Sequence, residues 1–330
     1  MLETFSRNLT EILGPLAWWA HQFFARVLAP EERHEWKWLV GALIVTDFLY
    51  RFWKRPNIAP WRIYFHPSAL LDYKFLLSQR VVSIFIVGPM LVSALALGNW
   101  GSKILASWFG PGPSWHPTFT VLVVFAAARV VLFDTGHYIS HYIQHKVPFF
   151  WEFHKVHHAA EVLTPVTAYR SHPIESVMDG IFQGPLQALG LALFYYLYGG
   201  EHSLTEFVGI NAIIIPYFLL SSFQHSHLWI SFGPKLEHIL SSPAQHQIHH
   251  STAPQHLDKN LSQYFSFIDW IGGTLYVPQG EETLDFGLYE GADQELNTVW
   301  SFYWLPCKRA FAGLLRPSAQ LPETSGSRTA

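Results

Sequence analysis

HYISHYIQHKVPFFWEFHKVHH, residues 137–158, holds six histidines in twenty-two positions. His137, His141 and His145 are four apart, so on a helix they share one face. A Val147–Pro148 turn follows, and then His154, His157 and His158 fall on one face of a second helix. HQIHH repeats the device at His246, His249 and His250, again at i, i+3, i+4. Between these boxes lie His172, in RSHPIE, and His225 and His227, in FQHSHLW. Imidazole is the commonest metal-binding side chain, and in its neutral form it suits iron, zinc, copper and nickel. One zinc site would use three or four ligands, so the surplus here points to a dinuclear centre. Thiolates cannot share the task. Cys307 is the single cysteine, which excludes an internal disulfide and any cysteine-built zinc or iron–sulfur site. His21, His34, His66, His116, His202, His238 and His256 stand alone and are read as exposed or hydrogen-bonded residues.

The elements that must position these boxes are apolar. Of 330 residues, 50% are hydrophobic and only 14% charged, against about 25% charged in an ordinary soluble domain. Mean hydropathy is positive. A net charge of −3, with no basic stretch interleaved with aromatics, argues against a nucleic-acid partner. Runs at 38–53, 81–97, 118–133, 181–198 and 207–223 approach the length of a membrane-crossing helix. The stretch 9–28 is interrupted by Glu11, His21 and Arg26 and could cross or lie in the interface. Lys and Arg are plentiful between 53 and 81, scarce from 98 to 117, present again after 133, absent from 199 to 206, and present beyond 223. That alternation places both histidine-rich regions on the cytoplasmic face. The expected fold is all-α: a multi-span transmembrane bundle with a cytoplasmic helical cap carrying the dimetal site. MLETFSRNLTEILG does not read as a cleaved signal peptide, and PSAQLPETSGSRTA is expected to be disordered. No phosphate-cradling glycine loop or nucleotide fingerprint occurs.

The boxes resemble the fatty acid hydroxylase and sterol desaturase superfamily of membrane-bound, non-haem di-iron enzymes. The resemblance runs over about residues 120–278: Asp134 seven before His141, Pro148 between His145 and His154, then WEFHKVHH, AYRSHPIE, FQHSHLWISFGPKLEHILSSPAQHQIHHS and DKNLSQYFSFIDWIGGTLY. In this register His141 and His145 form the first pair. The implied ligands are His141, His145, His154, His157, His158, His172, His225, His246, His249 and His250. His137 occupies a position that the pattern leaves free, and His227 is unassigned. Asp134 is the leading candidate for a carboxylate that orients a ligating ring, with Glu175 and Asp258 behind it.

The resemblance further implies two iron ions, O2 as co-substrate, and hydroxylation or desaturation of a lipid C–H bond. Electrons would come from a separate reductase or electron-transfer protein, since no carrier segment is fused to the chain. An integral, multi-pass protein of a bacterial inner membrane or the endoplasmic reticulum is expected. Residues 1–117 are expected to be an N-terminal membrane region, 118–280 the catalytic domain, and 281–330 a C-terminal region with a disordered tail. Two other classes compete: a histidine-rich membrane metal transporter or metal-binding protein, whose ligands should lie inside the spans, and a non-catalytic scaffold, which should have lost box histidines.

Overall fold

The computed structural model describes residues 44, 60–199, 223–288 and 294–315. The runs 38–53 and 207–223 fall outside them but for one residue each, as do the stretch 9–28 and the last fourteen residues. Regular structure in the described residues is helical. No strand occurs among them, only an isolated antiparallel bridge between Ser251 and Phe286.

The helices are α1 (Pro60–Tyr64), α2 (Pro67–Phe109), α3 (Phe119–Lys146), α4 (Pro148–His158), α5 (Pro173–Tyr198), α6 (Pro243–His249), α7 (Ser266–Gly272) and α8 (Val299–Leu315). Single 3-10 turns occupy Thr167–Tyr169, Leu236–His238 and Pro254–His256. Proline opens α2, α4, α5 and α6, where its fixed φ suits the first turn and its missing N–H costs nothing. Side chains close the exposed amides: Thr118 caps α3, while Ser242 with Gln245 and His172 with Glu175 form capping boxes on α6 and α5.

Apolar runs underestimate the helices. The run 81–97 lies inside the 43-residue α2, and the run 118–133 continues through the first histidines to Lys146. At 1.5 Å per residue α3 is ~42 Å long and α5 ~39 Å. Both are long and apolar enough to cross a membrane. A hydrocarbon core of ~30 Å would leave α3 with about two turns to spare, and His141 and His145 lie in those last two turns.

α5 packs against both α2 and α3. Glycine permits the close approach: a methyl on Gly136 would lie 2.7 Å from Gln183 Cα, and one on Gly98 2.7 Å from Leu191 Cβ. Across the α3–α5 seam the buried Arg129 donates from Nε to Gln187 Oε1 at 2.8 Å, and Gln187 returns a bond to Arg129 O at 2.7 Å. Leu122, Leu191, Phe194 and Tyr195 fill the seam further along. At the other end α8 packs on α4, with Phe75, Val156, Leu296 and Phe302 as the core between them and α2. The histidines lie at this end.

Candidate metal centre

Among the described residues, nine histidines converge in two adjoining groups. His141, His145, His154, His158 and His249 form one; His157, His225, His246 and His250 form the other. Within each group the candidate ligand atoms all lie within 4.8 Å of one another. α3 supplies His141 and His145, α4 supplies His154, His157 and His158, α6 with its C-cap supplies His246, His249 and His250, and His225 lies in the segment before α6. Rings of the two groups touch, with centroids 4.7 Å apart for His158 and His250 and 5.5 Å for His154 and His157. Trp151 closes one side, 5.3 Å from His145 and 5.4 Å from His158.

Outer partners fix the tautomers. A carbonyl can only accept, so each Nδ1 facing one must carry the proton. His141 Nδ1–H donates to Leu261 O at 2.7 Å, His249 Nδ1–H to Lys259 O at 2.9 Å, and His157 Nδ1–H to Arg170 O at 3.1 Å. His154 Nδ1–H donates to Glu175 Oε2 at 2.7 Å and His145 Nδ1–H to Asp258 Oδ1 at 3.1 Å. Each Nε2 of these five rings is therefore a bare lone pair aimed inward.

The inward nitrogens lie at contact distance in both groups. His141 and His154 bring Nε2 atoms to 2.9 Å, His154 and His158 to 3.2 Å, His157 and His225 to 3.1 Å, His225 and His246 to 2.9 Å, and His246 and His250 to 3.2 Å. With both Nδ1 atoms protonated, His141 and His154 have no proton to share. Nε2 of His145 and of His249 is buried with no hydrogen-bond partner among the described residues. Two nitrogens ~2.1 Å from one cation and at right angles stand ~3.0 Å apart, which is the spacing found. The all-nitrogen donor set suits iron, zinc, copper or nickel, so the residues fit a pair of such ions. Burial pushes His154, His157, His158, His246, His249 and His250 well below the ordinary imidazole range, which keeps them in the neutral, ligating form.

His172, expected with the ligands, joins neither group. Its Nδ1 accepts from Ile174 N at 3.1 Å as the N-cap of α5, and its Nε2–H donates to Tyr303 O at 3.2 Å. Both ring nitrogens are engaged, and burial lowers its pKa to about 4. His137 also lies outside the groups, with Nδ1 3.9 Å from Asp179 Oδ1. His227 stacks edge-on against Tyr64 at 5.6 Å.

The three carboxylates rank differently than expected. Glu175 and Asp258 hold ligand-group rings directly. Asp258 is kept down at about 2 by the hydrogen bond from His145 and that from Lys146 Nζ, at 2.5 Å. Asp134, fully buried, touches no ring of either group: it accepts the backbone N–H groups of Gln263, Tyr264 and Phe265 at 2.8, 3.0 and 2.7 Å. It thereby holds the segment whose Leu261 carbonyl orients His141.

Asp269 completes that support by accepting Leu261 N at 2.7 Å and Ser262 N at 3.0 Å. Four consecutive residues, 258–261, thus orient His145, His249 and His141. Asp258 and Asn260 bend the segment with φ of 57° and 54°. Asn and Asp enter this left-handed region more readily than other side chains. Sequence reasoning missed Asp269, the carbonyls of Lys259 and Leu261, and Arg170. Only the positive-φ-tolerant pair Asp258 and Asn260 left a signal, as a turn.

Residues 126–274 match the fatty acid hydroxylase family. That segment belongs to the fatty acid hydroxylase and sterol desaturase superfamily. Among similar proteins, alkylglycerol monooxygenase of Xenopus tropicalis is 28% identical over 52% of this chain and 36% of its own length. Ornithine lipid hydroxylase of Rhizobium tropici is 26% identical over 59% of this chain and 56% of its own. The Delta(7)-sterol 5(6)-desaturase of Gibberella zeae is 27% identical over 52% and 45%. The chain therefore spans between about a third and just over half of the length of these relatives. No solved structure matches.

Proposed function

We propose that this protein is a membrane-bound di-iron oxygenase that hydroxylates, or desaturates, a C–H bond of a lipid. One observation carries the reading: His141 and His154, buried and with their Nδ1 atoms turned to outer partners, face each other through Nε2 atoms 2.9 Å apart. A cation between them makes that arrangement favourable, and the second group of four buried imidazoles offers a place for another. The similarity to a lipid monooxygenase, a lipid hydroxylase and a sterol desaturase supports a lipid as substrate.

In this reading His141, His145, His154, His158 and His249 hold one iron and His157, His225, His246 and His250 the other, while His172 caps a helix. Bound there, the iron pair supplies the redox chemistry that turns O2 against an unactivated C–H bond. The protein keeps the rings neutral by burying them, fixes their orientation through Glu175, Asp258 and three carbonyls, and excludes water with Trp151 and the α4–α8 core. Hydroxylation puts one oxygen atom of O2 into the lipid and reduces the other to water; desaturation removes two hydrogens and yields two waters. Either outcome consumes two electrons and two protons from outside the lipid, which calls for a separate electron-transfer protein or reductase.

α3 and α5 serve as membrane spans within a larger multi-span bundle, with residues 1–117 as its N-terminal part, 118–280 as catalytic domain and 281–330 as a C-terminal region. The histidines then lie just beyond the cytoplasmic ends of the spans, where a lipid and a soluble donor both reach them. The test is comparative lipidomics of cells with and without the protein, paired with an inactive His249→Ala variant. A lipid shifted by +16 or −2 mass units only with the intact protein is expected; no such lipid, with O2 uptake unchanged, would remove the oxygenase reading.

A further inference from the structure

Asp72 lies on α2, outside the residues that match the family, yet it is 1% exposed. It accepts Arg170 Nε–H at 2.5 Å and Thr167 Oγ1–H at 2.8 Å. Arg170, equally buried, also donates from Nη2 to Ser68 O at 3.1 Å and Ser68 Oγ at 3.2 Å, with its guanidinium 4.7 Å above the Phe302 ring. α2 therefore grips both ends of the 3-10 turn Thr167–Tyr169 and fixes the main chain at Arg170. That main chain does chemistry-bearing work, because Arg170 O is the acceptor for His157 Nδ1–H.

We propose that Asp72 is a positioning residue for the second histidine group, acting through Arg170 to hold the His157 ring on its metal. The proposal rests on the di-iron reading and goes beyond it. The two groups have separate frames: residues 258–261 and Glu175 orient the first, and the Asp72–Arg170 pair orients the second. Loosening Asp72 should therefore weaken one metal and leave the other. A merely structural clamp between α2 and the turn would release both together, or neither.

The experiment titrates ferrous iron anaerobically into the purified, detergent-solubilised full chain and reads bound iron per chain by elemental analysis. Asp72→Asn is compared in three backgrounds: wild type, His225→Ala, which keeps only the first group, and His249→Ala, which disables the first. Removal of such an outer partner typically weakens metal binding about 10- to 100-fold. That loss is expected in the wild-type background for one iron of two and in His249→Ala for its remaining iron, with none in His225→Ala. An equal loss in His225→Ala, or no loss anywhere, overturns the proposal. Asp72→Asn leaves a buried guanidinium unpaired, so Asp72→Leu with Arg170→Leu serves as the second variant, free of buried charge; it should show the same selective loss. Wild-type protein binding fewer than two irons would instead overturn the di-iron reading.

Discussion

His172 separates a ligand from a cap. Its ring bonds Ile174 N and Tyr303 O, and Glu175 completes the capping box with the His172 amide at 2.5 Å. His172→Ala should therefore keep both irons while lowering stability by about 0.5–2 kcal/mol, the usual cost of an N-cap. Iron analysis and chemical denaturation check the two halves; loss of an iron would return His172 to the ligand set. The distinction was legible in principle. A residue with a hydrogen-bonding side chain, then Pro, then Glu three positions on is a helix-start signature, and RSHPIE carries it. By type and proximity alone, a capping imidazole and a ligating one read alike. Eight of the other nine histidines were legible because i, i+3, i+4 spacing projects rings to one side of a helix, whereas His225 stood out only through the family resemblance.

Helices and turns, rather than single residues, set the second tier. The segment 258–261 aligns three rings of the first group, and Asp134 and Asp269 hold its continuation by their carboxylates. Asp134→Asn puts an amide NH2 where backbone N–H groups point, so donors face donors. Its expected result is weaker iron binding in the first group, read in a His225→Ala background, with the second group's iron retained, read in a His249→Ala background. Asp134 was singled out from its place before His141, but its role was not readable. A carbonyl that orients an imidazole carries no residue signature, so the link through Leu261 needed the fold. Helix contact gives a plainer case. Gly136→Ala would place a methyl 2.7 Å from Gln183 Cα and 2.9 Å from its N, both backbone atoms. Overpacking of this kind costs about 1–3 kcal/mol, to be seen as a lower melting temperature.

Across the whole molecule α3 and α5 run antiparallel with the histidines at one end. The opposite end joins the 110–118 linker to the end of α5, where Trp115 N donates to Leu197 O at 3.0 Å. In the proposed topology these ends lie on opposite sides of a membrane, as the alternation of basic residues suggests, and both helices are long and apolar enough to cross one. In a Cys307→Ala background, a cysteine at the exposed His116 should react in intact cells with an impermeant maleimide, whereas one at the exposed Gln255 should react only after permeabilisation. The reverse pattern would put the metal centre on the face away from cytoplasmic donors. Helix boundaries were the least legible feature at this scale. Apolar runs mark where lipid or core contact is required, and α2 and α3 extend well past those limits because capping and tertiary contacts, not hydropathy, end a helix.

The metal count tests the centre itself. Full-length protein, purified anaerobically after iron-replete expression, should contain two irons per chain, falling to one in His225→Ala with the polypeptide still folded. One tightly held zinc and no iron, or two irons that survive the loss of His225, would contradict the assignment of nine imidazoles to two iron sites.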